Sequence, residues 1–205
     1  VPSISREIDL AALDEIFTFW VTLPPRTIFK GVSELPPGHS LFLEQGHVRI
    51  QPYWTLDYNP SIGLQREEEA RETLLELLLD ATRIRRRSDV PVGAYLSGGL
   101  DSTVIAALVK KLGTTHLKTF SVAFEDKEFD ESSFQNEASE FLKTDHEGVL
   151  CSSEDIGRVF PDVVWHTEKP VLRTAPAPLF LLSKLVREQG YKVGLTGEGS
   201  DEVLG

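Results

Sequence analysis

Residues Tyr95–Leu108 read YLSGGLDSTVIAAL. A short apolar run enters a turn of glycines, serines and an aspartate, and a run with helix-like apolar spacing leaves it. Strand, flexible turn and helix in that order make up half of a βαβ unit. Gly98 and Gly99 permit positive φ and leave no Cβ in the way, so successive N–H groups can point at one anion. The turn is not a Walker-type phosphate loop. Such a loop carries a lysine beside its final Ser/Thr, and here that position holds Asp101. An acidic residue in a phosphate-cradling turn implies a metal between protein and phosphate, or no phosphate.

Downstream the alternation continues. VPVGAYL (90–96), KTFSVAF (118–124), HEGVL (146–150) and KVGLTG (192–197) read as strands, and helices are predicted over 102–112, 131–142, 154–165 and 179–189. Short strands alternating with helices imply right-handed crossovers and an α/β fold with a covered parallel sheet. Such sheets bind ligands beyond the carboxyl ends of their strands. A second glycine turn stands at one of those ends: Thr196-Gly197-Glu198-Gly199-Ser200-Asp201-Glu202, with a helix expected after it. If the two strands are neighbours, the two turns face each other across one crevice.

Upstream, REEEARETLLELLLDATRIRRR (66–87) predicts a helix with acids in its first turn and arginines in its last, matching the helix dipole. Arg85–Arg87 therefore reads as a solvated helix end rather than a nucleic-acid patch. NPSIGLQ (59–65) reads as a linker. Residues 1–58 differ in character. Leu10, Leu13, Ile16, Phe17 and Trp20 predict a helix over 9–20, and 40–44 pairs with 47–51 as a hairpin around Gln45-Gly46. One helix and a hairpin bury little surface alone, so this segment is expected to end a preceding α+β domain.

Composition sets the outer limits. The 205 residues carry a net charge of −11, with 21 basic against 32 acidic side chains, which argues against a general nucleic-acid or membrane-surface binder. A nucleotide bound through magnesium remains compatible with that charge. No apolar run is long enough to span a membrane, and no signal peptide is visible. Cys151 is the single cysteine, so a reducing, cytosolic setting without an internal disulfide is expected. The chain starts at Val1, has no Met and stops at GEGSDEVLG; it reads as an internal piece of a longer protein.

In the first turn, Ser97 and Ser102 add hydroxyl donors to the N–H groups at the helix start. Asp101 repels phosphate directly but suits Mg²⁺, a hard cation that prefers carboxylate and phosphate oxygens. Asp201 in the second turn offers a second carboxylate of the same kind. An ordinary turn with a capping acid is the plain alternative for each, but the flanking serines of the first turn, and the two acids of the second with no Lys or Arg nearby, favour function for each. The two together favour a nucleotide site.

SGGLDS resembles the PP-loop signature of ATP pyrophosphatases, which split ATP into AMP and pyrophosphate. With FSVAFEDKEFDES (120–132) and LTGEGSDEVLG (195–205), the chain resembles the glutamine-dependent asparagine synthetase family. Residues 1–58, with RTIFKGVSELPPGHSLFL (26–43) and Tyr53-Trp54, resemble the end of that family's glutamine amidotransferase domain, an α+β N-terminal-nucleophile (Ntn) glutaminase. Residues 66–205 resemble the first part of its synthetase domain, an adenine nucleotide alpha hydrolase-like parallel-sheet fold. The resemblance implies a cytoplasmic ATP- and Mg²⁺-dependent ligase that uses aspartate and glutamine-derived ammonia, with a homodimer as a further expectation. Position by position it implies pyrophosphate binding by Ser97, Gly98, Gly99, Asp101 and Ser102. Leu96 is implied as a backbone contact to ATP, Val122 as the residue beside adenine, and Thr196 and Gly197 as nucleotide contacts. Glu198 is implied in aspartate activation or ammonia handling, Asp201 as the second magnesium-side carboxylate, and Glu202 as an amino-acid contact. Asp101, Asp201 and Glu198 form the implied catalytic set. Asp130 and Glu131 match a recurrent FDE and are expected to cap a loop or helix.

The family's glutaminase uses an N-terminal cysteine, whereas this chain begins with Val1 and Cys151 reads as a small buried residue. This stretch is therefore expected not to hydrolyse glutamine, and a family lysine is expected beyond Gly205. His39, His47, His116 and His146 lack metal-ligand spacing and read as surface or capping residues. In HTEKPVLRTAPAP (166–178), Lys169 and Arg173 stand open between reaching an anionic substrate and belonging to a rigid connector. Two alternatives share the turns: a PP-loop relative such as a β-lactam synthetase acting on another carboxylate, and a nucleotide-binding module without turnover.

Overall fold

A computed structural model describes residues 4–57, 66–113 and 116–204. The expected linker, 59–65, lies outside them. The chain divides into two compact units, residues 1–64 with 164–173 and residues 65–163 with 174–205.

In the first unit, helix α1 (Leu10–Phe19) begins where Asp9 Oδ1 accepts from the N–H groups of Ala11 and Ala12, at 2.9 and 3.4 Å. Trp20 ends it in a left-handed conformation, φ 67°. Asp9 and Trp20, expected inside the helix, are thus its caps. A small core gathers Ala12, Ile16 and Ile28. Strands β1 (His39–Glu44) and β2 (His47–Pro52) pair antiparallel around Gln45 and Gly46, both at positive φ, the primed-turn geometry that matches strand twist. Arg173 places its guanidinium 3.7 Å over the Trp20 ring. This cation–π contact ties the segment that carries Arg173 to the end of α1.

The second unit holds a four-stranded parallel sheet. Helix α2 (Glu67–Arg85) leads into β3 (Val92–Tyr95), α3 (Leu100–Lys111), β4 (Lys118–Phe124), α4 (Ser132–Leu142), β5 (Asp145–Cys151), α5 (Ser153–Thr167), α6 (Pro176–Glu188), β6 (Val193–Leu195) and α7 (Ser200–Leu204). The strand order is β5-β4-β3-β6. The chain first winds outward from β3, then returns to add β6 on the other side of β3. Strand alternation sends side chains to two faces. Ala94, Leu96 and Leu195 pack with Ala106 and Val109 of α3 on one face. Phe120 packs with Leu182 and Val186 of α6 on the other, edge-on to Tyr191 at 5.4 Å.

Most helix ends fall within two residues of expectation, and two further differences stand out. Helix α6 starts three residues before the predicted 179, on Pro176. First-turn positions need no N–H donor, so prolines that punctuate a loop also begin a helix. Arg86 Nη1 donates to Leu112 O at 3.1 Å, so one arginine of the solvated run ties α2 to the end of α3.

Candidate functional site

β3 and β6 are parallel neighbours, with Ala94 opposite Leu195. The chain changes winding direction between them, so the turns after both strands open into one crevice at the switch point of the sheet. This cavity, about 410 Å³, is lined by Leu96, Ser97, Gly99, Asp101, Ser102, Val122, Thr196, Gly197, Glu198, Asp201 and Glu202. Of the residues named from sequence, Gly98 lies outside the lining. It sits behind the turn at φ +86°, where an added Cβ would stand 2.7 Å from Phe134 Cβ and 2.8 Å from Gln135 N. The glycine lets the turn lie against the start of α4.

The first turn is tied by its serines. Ser97 N donates to Ser102 Oγ at 3.2 Å, the two hydroxyls lie 2.9 Å apart, and Ser102 Oγ donates to Gly99 O at 3.2 Å. Among the described residues, the N–H groups of Leu100, Asp101 and Ser102 have no acceptor, as the first turn of a helix requires. These donors and the α3 dipole suit an anion. In the second turn, Gly199 takes φ +92° and Ser200 Oγ donates to Gly197 O at 2.6 Å. Gly197 makes the closest approach. A Cβ there would lie 2.8 Å from the C and Cβ atoms of Asp101 and 2.8 Å from Ser102 N. Only glycine lets the two turns touch.

Charge in the crevice has one sign. Asp101, Glu131, Glu198, Asp201 and Glu202 line it, with no Lys, Arg or His among the lining residues. A polyphosphate entering alone meets repulsion, so a cation must accompany it. Asp101 and Asp201 offer hard oxygen donors from facing turns, which fits Mg²⁺. Among the described residues no group of three or more His, Cys, Asp or Glu is placed to hold a metal. A nucleotide's own oxygens would complete the coordination.

Several lining residues escaped the sequence reading. Tyr95, Phe120, Pro178, Leu179 and Leu182 form an apolar wall. Gln135 and Ser121 also line the crevice, though both are buried. Gln135 stands on the same helical stripe as Ala138 and Leu142, and a polar residue in line with apolar ones was the available signal. Ser121 Oγ lies 3.1 Å from His146 Nε2, and His146 Nδ1 lies 3.0 Å from Thr119 Oγ1. Thr144 and Ser139 extend this chain of hydroxyls. Burial lowers the His146 pKa, helped by the positive charge of Lys118 and opposed by Asp145. His146, read as a surface or capping residue, is a half-buried network residue instead.

Asp130 has the capping role. Its carboxylate accepts from Ser132 Oγ at 2.7 Å and from the N–H groups of Phe124 and Ser132, which hold its pKa below the usual carboxylate range. Glu131, expected to cap as well, makes no side-chain cap bond and lines the crevice instead. Lys169 and Arg173 belong to the first unit. Cys151 is buried, and burial pushes its thiol pKa up. No helix among the described residues is long and apolar enough to cross a membrane.

Residues 73–205 match the Asparagine synthase family, and residues 1–54 match the Glutamine amidotransferase domain. Amidase chyE of Penicillium rubens is 38% identical over 194 residues, covering 86% of this chain and 29% of its own length. Asparagine synthetase (glutamine-hydrolyzing) 1 of Bacillus subtilis is 32% identical over 201 residues, covering 97% and 31%. The chain thus spans about a third of the length of these curated relatives. Among solved structures, the NH3-dependent NAD synthetase from Campylobacter jejuni aligns at a TM-score of 0.40 and 15% identity, covering 63% of this chain and 56% of that one.

Proposed function

Because this chain belongs to the asparagine synthase family, we propose that its crevice binds ATP for an amide-forming ligase, the domain of residues 66–205 following the end of a glutaminase domain at 1–58. The observation that carries the proposal is the contact of the two turns, Gly197 against Asp101 and Ser102, at the switch point of the sheet. The pyrophosphate part of ATP lies over Ser97, Gly99 and Ser102, where the free N–H groups of α3 receive it, and Gly98 shapes the turn from behind. Leu96, Thr196 and Gly197 contact the nucleotide, and adenine lies beside Val122. Asp101 and Asp201 would hold Mg²⁺, which when bound neutralises charge on the phosphate oxygens.

The β-carboxylate of aspartate attacks the α-phosphorus of ATP. An O–P bond forms and the bond to pyrophosphate breaks, giving β-aspartyl-AMP. Ammonia, derived from glutamine, then attacks the acyl carbon and releases AMP, giving asparagine. Glu202 contacts the amino acid, and Glu198 serves activation of the acid or deprotonation of the incoming ammonia. Catalysis here is mainly positioning and fixed dipoles. The proposal includes a cytosolic setting and a homodimer.

A second reading is favoured by the amidase of Penicillium rubens, which is more identical to this chain than the Bacillus subtilis asparagine synthetase. It keeps the same adenylation at the same turns with a different carboxylate, the chemistry of a β-lactam synthetase type of relative. Exchange of labelled pyrophosphate into ATP by the full protein, run with aspartate and a panel of other carboxylic acids, separates the two. Asp101→Asn is expected to reduce exchange at least about 100-fold while circular dichroism stays native. Absence of exchange with every acid in the wild type would leave a nucleotide-binding module and refute both readings.

A further inference from the structure

Gln135, in the first turn of α4, is only 4% exposed yet lines the crevice. Its Nε2 donates to Val122 O at 2.8 Å. A carbonyl oxygen only accepts, so this bond orients the amide, with the NH₂ on the strand and Oε1 at the other end. Among the described residues nothing donates to Oε1. Buried polar atoms without partners are rare and costly, and a ligand donor is one of their few explanations. The turn of helix that carries Gln135 packs directly on the first glycine turn, where a Cβ added at Gly98 would stand 2.8 Å from Gln135 N. Phe120, Val122, Pro178 and Leu182 give the same crevice an apolar wall suited to a flat ring.

We propose that Gln135 selects the base of the nucleotide, with its Oε1 accepting from the exocyclic amine of a 6-aminopurine that lies along the apolar wall. This assignment rests on the reading of the crevice as an ATP site. A 6-oxopurine presents an acceptor to an acceptor and is disfavoured. Gln135 cannot turn its NH₂ toward such a base without giving up the bond to Val122 O. Selectivity therefore comes from the strand carbonyl that fixes the amide, and the residue that meets the base is on α4.

Calorimetric titration of the full protein with the magnesium salts of ATP, inosine triphosphate and purine riboside triphosphate, which lacks any 6-substituent, tests this. Wild type is expected to bind ATP about ten-fold or more tightly than the unsubstituted analogue, and inosine triphosphate more weakly still. In Gln135→Met, of similar length but without hydrogen-bonding groups, the three affinities are expected to converge within about two-fold. Equal binding of ATP and the unsubstituted analogue by wild type, or discrimination kept by Gln135→Met, would overturn the assignment. If that variant does not fold, the wild-type ligand series decides alone. A flat series with tight ATP binding defeats only the Gln135 assignment. No binding of any triphosphate defeats the ATP reading of the crevice as well.

Discussion

Gly197→Ala places a methyl group where the two turns touch. On the native backbone the new Cβ would lie 2.8 Å from the C and Cβ atoms of Asp101 and 2.8 Å from Ser102 N. Relaxed carbon contacts sit at about 3.5–4.0 Å, so the turns must part by roughly 0.7–1.2 Å. Two of the three atoms are backbone and the third is bonded directly to it, so no side-chain rotation relieves the clash. Overpacking of this kind costs about 2 kcal/mol, or roughly 4–8 °C in Tm for a chain of this size. The functional loss is larger. A displacement near 1 Å at a reacting centre costs about 100-fold in rate, so pyrophosphate exchange is expected to fall by about that factor.

Scanning fluorimetry and the exchange assay measure the two losses separately. Gly199→Ala is the control. Its φ of +92° strains any side chain, by about 1–2 kcal/mol, but no atom lies within 4 Å of its added Cβ. The two variants are expected to lose comparable stability, with the larger loss of exchange in Gly197→Ala. If Gly197→Ala keeps both its Tm and its exchange rate near wild type, or loses no more exchange than Gly199→Ala, close approach of the turns is not what the site needs.

Gly157 lies inside α5 with nothing within 4 Å of an added Cβ, so Gly157→Ala is expected to raise stability by about 0.5–1 kcal/mol, read as a higher Tm. His146 binds its proton more weakly folded than unfolded. Its contribution to stability is full above its ordinary pKa of 6.5 and is lost as pH falls from there through the lower folded value. Urea midpoints measured across that range are expected to fall further for wild type than for His146→Gln, and parallel profiles would refute this. The Cys151 thiol, buried and pushed up in pKa, is expected to react with a disulfide reagent at least about ten-fold faster in urea than in the native protein.

Much of the second unit was legible because its signals are local. The strand over Lys118–Phe124 was read with the bounds observed, since its apolar run stands between clear turns. Both glycine turns were readable from residue type and from their place after strands. The misreadings occur where local chemistry fits two outcomes. Prolines at 176 and 178 suit a loop or a first helical turn, and only the packing of Ala177 with Val159 and Val163 selects the second. Arg173 stood open between an anionic substrate and a rigid connector, and its stacking on Trp20 depends on a residue more than 150 positions away. His146 gave no signal, because its partners Thr119 and Ser121 lie on the neighbouring strand, 25 or more residues away in sequence.

The sequence by itself determined the alternation of strands and helices, the glycines at two strand ends and the acidic residues those turns carry. Each follows from backbone conformational preference and residue chemistry within a few positions. Only the tertiary structure decided that β6 returns to lie beside β3, and so brings Gly197 against Asp101. Only the tertiary structure turned the polar Gln135 toward the crevice rather than solvent. Strand order is set by how helix faces and sheet faces bury each other across the whole domain, and no short stretch of chain holds that information.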